Sequence, residues 1–158
     1  MIAQAEKSES RCVATGWSAM NRVSWSIFLR SLLMTSHLEF YRCEICGNIV
    51  QVMHAGAGEL VCCGKPMSVL KPFSQKDEKQ EKHVPVFIEN KIQVGSEPHP
   101  MQPEHHIEFI QAISEDKKCI KTKFLNTEQE PSMTINADDN FNSAFEYCNI
   151  HGLWHGEK

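Results

Sequence analysis

Short runs of alternating apolar and polar residues recur along the second half of the chain, as is typical of half-buried β-strands. The first two runs flank Asn90-Lys91, which is a candidate for a two-residue hairpin turn. The runs are "VPVFIE" (84–89), "IQV" (92–94), "HIEFIQAI" (106–113), "KCIKTKFL" (118–125), "SMTINA" (132–137) and "AFEYC" (144–148). They are evenly spaced and no long helical period interrupts them. This pattern predicts an antiparallel β-sandwich.

A second, smaller β-region precedes the sandwich, between residues 38 and 70. Two β-rich runs, Ile49 to His54 and Glu59 to Cys62, flank the glycine-containing turn "AGAG". A unit of this size cannot be stabilised by core burial alone and usually needs a metal or a disulfide. The polar segment "KPFSQKDEKQEK" (71–82) has no periodicity and is predicted to be a linker.

The first 36 residues have a different character. The stretch "VSWSIFLRSLLM" is apolar but is interrupted by Arg30, and no small-residue cleavage site follows it, so a signal peptide is not predicted. We expect a poorly ordered extension over 1–36, with a short amphipathic helix from Val23 to Leu33 and natural translation beginning at Met34. The predicted organisation is completed by a small β-domain (37–70), a linker (71–80) and a β-sandwich domain (81–158).

Composition narrows the classes of function. The chain has 158 residues, of which 41% are hydrophobic and 23% charged, which is typical of a globular protein. A formal net charge of −4 provides no basic surface for nucleic acid. No apolar run reaches the roughly 18 residues that a membrane helix needs. Seven cysteines and eight histidines favour metal ligands in a reducing compartment over a disulfide framework, so we expect a cytoplasmic protein.

Four cysteines in the small β-domain form a first set of candidate ligands. Cys43 and Cys46 are separated by two residues, so one tight turn can direct both sulfurs at one ion, and Gly47 suits the bend that follows. The adjacent pair Cys62 and Cys63 would bind the same ion only with local strain, so a distorted tetrahedron is expected. Tetrahedral sulfur coordination suits zinc or iron equally on spacing alone, and a purely structural zinc site stays open.

A second set of candidate ligands is spread over the sandwich domain. It combines four imidazoles and one thiol, which suit iron, copper, zinc or nickel. The residues are His83, His99, His105, Cys148 and His151. Cys12 and Cys119 lack partners at ligand spacing and are not expected to bind a metal.

Five motifs in order resemble the desulfoferrodoxin family, the two-iron form of superoxide reductase. They extend from about Leu38 to the C-terminus and are "YRCEICGNIV", "ELVCCGKPM", "EKHVPV", "VGSEPHPMQPEHHIEFI" and "YCNIHGLW". Two features depart from the family pattern. The hairpin between His83 and His99 is shorter, and the N-terminal extension is foreign to it. Neither departure affects a candidate ligand.

The resemblance implies an all-β protein with two iron sites. A small desulforedoxin-like domain would hold one iron on Cys43, Cys46, Cys62 and Cys63. An immunoglobulin-like antiparallel β-sandwich would hold the second on four equatorial histidines, His83, His99, His105 and His151, with Cys148 as the axial ligand. His105 matches the ligand position and His106 does not, so His106 is expected to pack at the rim. The remaining histidines, His37, His54 and His155, are expected to be exposed.

The implied activity is the reduction of superoxide to hydrogen peroxide by one electron and two protons. The metal must change valence, which excludes zinc at the second site. Lys82 is the predicted source of positive charge that attracts the anion, although any single lysine is more often simply solvated. Glu81 resembles the family carboxylate that occupies the vacant sixth position once the iron is ferric.

The resemblance also implies partners, namely a rubredoxin-like electron donor and a second copy of the chain in a homodimer. Neither nucleic acid nor a membrane is an expected partner. Two other functions stay open at this point. The chain could be a non-catalytic electron-transfer protein whose irons only shuttle charge, or a zinc-stapled β-sandwich that binds a partner protein. An open coordination position would distinguish the enzyme from the electron carrier.

Overall fold

A computed structural model describes residues 34–136 and 138–158 of the chain. This part contains twelve short strands and one helical turn. The expected extension, including its helix from Val23 to Leu33 and Cys12, lies outside those residues except for its last three positions. No helix in the described part is both long and apolar enough to span a membrane.

The small N-terminal domain consists of two minimal sheets. One has the strand order β2-β1-β5 and the other is the hairpin β3-β4. The strands are β1 (Phe40–Arg42), β2 (Ile49–Gln51), β3 (Val61–Cys62), β4 (Lys65–Pro66) and β5 (Ser68–Val69). Few of its side chains are buried, and Cys43 is one of them. A core this small agrees with the expectation that the domain needs a metal.

The second domain begins with the helical turn α1 (Gln80–His83) and continues as two antiparallel sheets with the orders β10-β7-β6 and β12-β11-β8-β9. Their strands are β6 (Pro85–Ile88), β7 (Lys91–Val94), β8 (Ile107–Ser114), β9 (Ile120–Phe124), β10 (Ser132–Thr134), β11 (Phe141–Cys148) and β12 (Gly152–Glu157). The predicted all-β class and antiparallel pairing are confirmed.

The core lies between the two sheets of the sandwich. Alternate residues of β11 point inward, because successive side chains of a strand face opposite sides. Ala144 and Cys148 are therefore buried against Ile92 of β7 and Ile110 of β8. Phe141 joins the same core because the pairing of β11 with β8 is irregular between Phe141 and Ser143, which shifts the alternation. Cys148 is fully buried at the end of its strand. The hydrophobic core thus fixes the position of one candidate ligand.

Two details of the predicted strands are wrong. The hairpin turn is Glu89-Asn90 instead of Asn90-Lys91, because Lys91 already pairs with Ile88, and Glu89 adopts a φ of 46°. The closing strand β12 was not predicted at all, since its two glycines obscure the alternation. A side chain at Gly156 could not fit, because a Cβ there would lie 2.1 Å from the carbonyl oxygen of Pro85.

The segment between the domains is partly structured. The backbone of Phe73 pairs with one edge of β12 on either side of Trp154, donating to the carbonyl oxygen of Leu153 (2.9 Å) and accepting from the amide of His155 (2.9 Å). Its ring packs on Trp154 with centroids 5.0 Å apart. Farther along, residues 80–83 form the helical turn α1, where the sequence pattern predicted no regular structure. The absence of periodicity in the sequence concealed both features, because each depends on contacts with β12 or with the site described next.

Candidate metal centres

The four thiols of the small domain converge on one point, with their sulfur atoms within 4.8 Å of one another. Cys43 and Cys46 lie on a turn closed by the amide of Gly47, which donates to the carbonyl oxygen of Cys43 (2.9 Å). Gly47 has a φ of 77°, which only glycine adopts without strain. Cys63 also has a positive φ, 52°, and this strained conformation brings adjacent side chains to one centre.

The electrostatics of this cluster suit a cation. Amides of Cys46 and Ile45 donate to Cys43 and lower the pKa of its thiol to about 6. Side-chain hydrogen bonds with the sulfurs of Cys46, Cys62 and Cys43 raise the pKa of Cys63 to about 12, and burial and the charge of Cys43 add to the rise. A bound cation favours the ionised form of all four sulfurs. The donor set therefore fits an iron ion.

A second cluster lies at one end of the sandwich, where five donor atoms lie within 4.8 Å of one another. Its residues come from α1, from the connection between β7 and β8, from the end of β11 and from the turn that follows β11. They are His83, His99, His105, Cys148 and His151. Nδ1 of His151 lies 3.0 Å from Nε2 of His83, 3.2 Å from Nε2 of His105 and 3.5 Å from the sulfur of Cys148. Nε2 of His99 lies 3.2 Å from Nε2 of His83.

Two of these rings are oriented by hydrogen bonds to their outer nitrogens. Nδ1 of His83 donates to the carbonyl oxygen of Lys79 (2.8 Å), and Nδ1 of His99 donates to that of Pro100 (2.6 Å). Each bond leaves a lone pair on Nε2, directed into the cluster. The ring of His83 also stacks on Trp154, with centroids 4.7 Å apart and an interplanar angle of 19°.

Burial keeps the imidazoles of the cluster neutral. It lowers the pKa of all four histidines, and the pKa values of His99 and His151 fall to about 4. Burial also raises the pKa of Cys148, and amide donors from His151 and Ile150 oppose that rise. These amides are the donors expected of a Cys-x-x-His turn. Four neutral nitrogens and one sulfur aimed at a common centre are a donor set that fits iron.

The residues predicted to act on superoxide lie on α1, outside the cluster itself. Glu81 and Lys82 are both exposed, and they directly precede His83. The carbonyl oxygen of Glu81 accepts from the amide of Glu97 (2.8 Å), which ties the helical turn to the chain before His99. The charge of Lys82 contributes to the lowered pKa of His105, after burial, Lys79 and His106.

Sequence reasoning missed Lys79. This residue has a φ of 68°, and its Nζ lies 3.2 Å from Nε2 of His151. Its carbonyl oxygen is also the acceptor for His83, so a single residue contacts two members of the cluster. A lysine within a charged linker carries no local signal of such a position, because the left-handed backbone that produces it depends on the fold.

The other histidines and Cys119 lie outside the two clusters. His37 and His54 are exposed, as expected, and His106 is half-buried with Nδ1 bonded to the carbonyl oxygen of Gln102 (3.1 Å). The prediction for His155 is wrong. It is half-buried because its ring stacks on Phe145 (4.6 Å) and bonds to Ser143 (2.9 Å). The thiol of Cys119 is exposed.

One buried acid beside the second cluster was also missed. Glu146 is fully buried two residues before Cys148, and neither of its carboxyl oxygens has a partner among the described residues. Burial raises its pKa well above the ordinary value, because an apolar environment disfavours the charged carboxylate. It pairs across the strands with Trp154, whose indole nitrogen also lacks a partner in the described chain.

Comparison with known proteins assigns both domains. The profile of the desulfoferrodoxin N-terminal domain matches residues 35–70, and the desulfoferrodoxin profile matches residues 75–157. A desulfoferrodoxin homolog from Archaeoglobus fulgidus is 46% identical over 125 residues, which are 77% of this chain and 98% of that protein. Desulfoferrodoxin from Syntrophotalea carbinolica is 43% identical over 128 residues, 78% of this chain and 99% of that protein.

The structural comparison agrees with these relatives. The crystal structure of the superoxide reductase from Treponema pallidum superposes with a TM-score of 0.58 and 29% identity, covering 78% of this chain and 100% of that one. The small thiol-bearing domain followed by the sandwich is thus the architecture expected from the motifs. With both profiles matched in order and relatives above 40% identity over most of its length, the chain belongs to the desulfoferrodoxin family.

Proposed function

We propose that this protein is a superoxide reductase, which adds one electron and two protons to superoxide and releases hydrogen peroxide. The observation that carries the proposal is the convergence of four imidazole nitrogens and one thiol sulfur within 4.8 Å. Iron held by these five residues would supply the change of valence that the reaction needs. The structural relative from Treponema pallidum bears the name of this activity.

The ligand roles follow from the positions of the donor atoms. His83, His99, His105 and His151 would each bind through one neutral nitrogen, and Cys148 through its sulfur. Four neutral ligands leave most of the charge of a cation uncompensated, which favours the approach of a small anion. The buried thiolate of Cys148 contributes the single negative charge, and amides of Ile150 and His151 stabilise it.

Two lysines would attract superoxide to the site. The chain is acidic overall, so positive charge near the cluster has to come from specific residues. Lys82 lies beside His83 in sequence, and Lys79 contacts His151 directly. Charge in these positions raises the rate of encounter with an anion. Glu81, on the same helical turn, is proposed as the carboxylate that approaches the metal after superoxide has been reduced.

The small domain would hold a second iron on Cys43, Cys46, Cys62 and Cys63. Its exposed apolar side chains, which include Met53 and Val61, support a homodimer built on this domain. We propose a rubredoxin-like protein as electron donor, because each superoxide consumes one electron. A cytoplasmic location is supported by the cysteine-rich clusters, which require a reducing compartment.

The test is to quantify the products of superoxide consumption by the purified, iron-loaded chain. A reductase supplied with electrons forms one peroxide for each superoxide and releases no dioxygen. A dismutase would instead release dioxygen, and a protein that only carries electrons would consume no superoxide beyond the uncatalysed rate. Either of these results would refute the proposal.

The variant Cys148→Ser assigns the activity to the second cluster. It should abolish superoxide reduction together with the sulfur-to-iron charge-transfer absorption of that site. The absorption of the four-thiolate site should survive, because none of its ligands has been changed. Retention of full activity by Cys148→Ser would show that the chemistry takes place elsewhere.

A further inference from the structure

Asn149 joins two parts of the second cluster by three hydrogen bonds. Its backbone amide donates to the carbonyl oxygen of His106 (3.1 Å), and its side-chain Oδ1 accepts from the backbone amide of His106 (3.0 Å). Its Nδ2 donates to the carbonyl oxygen of Glu104 (3.0 Å). The bonds therefore reach residues on both sides of His105. Asn149 itself lies within the turn that carries Cys148 and His151.

His105 is the histidine of the cluster that most needs such support. The rings of His83 and His99 are oriented by bonds from Nδ1 to backbone oxygens. Among residues 34–136 and 138–158, none offers a hydrogen-bond partner to Nδ1 of His105. Histidines that bind metals are normally held through the nitrogen opposite the metal. The position of this ring therefore depends on the backbone that carries it.

Apart from β8, which begins at Ile107 and pairs there with Cys148, that backbone has little other anchorage. Gln102 and His105 exchange two backbone hydrogen bonds of 3.0 Å, but these are internal to the loop. Residues 102–104 are exposed. The amide of Ile107 reaches only the sulfur of Met101 (3.4 Å), which is a weak acceptor. Asn149 thus provides the link between this loop and the turn that bears two other donors.

We propose that Asn149 is a positioning residue that sets the place of His105 relative to Cys148 and His151, and thereby the retention of metal by the second cluster. The inference rests on the proposed function only in requiring that this cluster binds iron. The alternative role for an asparagine at this position is to stabilise the local turn alone. The two roles differ in whether the effect of substitution depends on His105.

The experiment mixes the full-length, iron-loaded protein with an excess of chelator and follows the loss of iron. The signal is the sulfur-to-iron charge-transfer absorption that depends on Cys148. Asn149→Ala should weaken retention by about 10- to 100-fold, the range typical of lost support behind a metal ligand. Asn149→Asp keeps the acceptor for the His106 amide and loses the donor to Glu104, so it should lie between the wild type and Asn149→Ala. Asn126→Ala is the matched control, because Asn126 is exposed and caps only a surface turn by accepting from Glu128 (3.1 Å).

A double-mutant cycle separates positioning from general damage. In the His105→Ala background, Asn149→Ala should cause no further loss of iron, because the residue through which it acts is gone. In the His83→Ala background, its effect should persist. An equal effect of Asn149→Ala in the wild type and in His105→Ala would overturn the proposal, as would unchanged retention in Asn149→Ala.

Hydrogen exchange of the metal-free proteins gives a readout that needs neither iron nor activity. Asn149→Ala should raise amide exchange in peptides covering 101–107 and leave those from β8 and β11 unchanged. Uniformly faster exchange, or no change in 101–107, would contradict the positioning role. If the protein failed to reduce superoxide at all, the iron-retention and exchange results would still stand, so the two proposals can fail separately.

Discussion

The side chains of Gln51 and Gln111 exchange two hydrogen bonds between the small domain and the sandwich. Nε2 of Gln51 donates to Oε1 of Gln111 (2.8 Å), and Nε2 of Gln111 donates back to Oε1 of Gln51 (2.9 Å). Gln111 is buried in β8 and donates also to the hydroxyl of Thr122 (3.0 Å). The pair lies beside the aromatic contact of Phe40 with Phe109 (6.1 Å), so polar and apolar contacts together fix how the domains meet.

We expect Gln111→Leu to destabilise the junction between the domains. It leaves the amide of Gln51 without its buried partner, which costs about 1–3 kcal/mol. The double variant Gln51→Leu/Gln111→Leu should recover most of that loss, because no polar group is then left unpaired. Urea unfolding of the metal-loaded proteins measures both values. Equal stabilities of the wild type and Gln111→Leu would show that the pair contributes nothing, and equal losses in the single and double variants would show that the unpaired amide is not the cause.

The two lysines near the second cluster should differ from other lysines in their effect on rate. Lys82→Ala and Lys79→Ala are each expected to slow the bimolecular reaction with superoxide several-fold and to flatten its dependence on ionic strength. If Nδ1 of His151 binds a metal, Nε2 of the same ring carries the proton and can no longer accept a hydrogen bond. The ammonium of Lys79 then loses its acceptor on His151 and is free to attract an anion. Stopped-flow mixing at several salt concentrations gives the rates.

Lys118→Ala is the control for the lysine variants. It removes the same charge from the connection between β8 and β9, where Lys118 pairs with Asp116 (3.3 Å). Its rate should match that of the wild type at every ionic strength. If all three variants behaved alike, the effect would belong to net charge, and neither lysine near the cluster would have a steering role.

The metal-free protein should lose stability as the pH falls from about 6.5 to about 4, the ordinary and folded-state pKa values of His99 and His151. Between these values the unfolded chain binds more protons than the folded one, so the free energy of unfolding decreases with falling pH. Each unit of pKa difference corresponds to about 1.4 kcal/mol. Thermal unfolding across this range is the measurement.

Substitution of one histidine tests the source of that dependence. His99→Gln should make the loss of stability shallower, because one buried group no longer titrates. His54→Gln, at an exposed position, should retain the full slope. A wild-type protein whose stability did not change between these pH values would show that the imidazoles are not held neutral by burial.

Gly95→Ala should disturb the helical turn that carries His83. A Cβ at Gly95 would lie 2.7 Å from the carbonyl oxygen of Glu81 and from Cα of Lys82, so one of the two segments has to move. We expect weaker iron retention at the second cluster and an unchanged four-thiolate spectrum. Gly58→Ala is the control, because Gly58 also has a positive φ, 108°, but has open space around it. Equal iron loss in both variants would exclude the steric explanation.

Most of the strands and the first ligand set could be predicted from local patterns. Alternation identified β8 and β11, since each has one face in the core. The cysteine spacing identified the first cluster because both of its halves are local turns. Assembly of the second cluster could not be derived from spacing, as its donors are up to 68 residues apart, from His83 to His151. There the ordered family motifs supplied what local physics could not.

What the sequence concealed depends on tertiary contacts. The strand β12 reads as a glycine-containing tail, but Gly156 is required by the close approach of Pro85. The position of Lys79 follows from a left-handed backbone that its neighbours in sequence do not predict. His155 is covered by Phe145 from the neighbouring strand. In each case the deciding partner lies on another element of the fold.

The stacking of Trp154 on His83 gives the protein a built-in optical probe. The indole lies against a ring that would bind the metal, and Phe73 also packs on it. A redox-active ion behind that ring should quench the fluorescence of the indole, and its removal should restore the emission. The chain has two further tryptophans, so occupancy of the second cluster could be followed by the metal-dependent part of the light emission, in dilute solution and without any added dye.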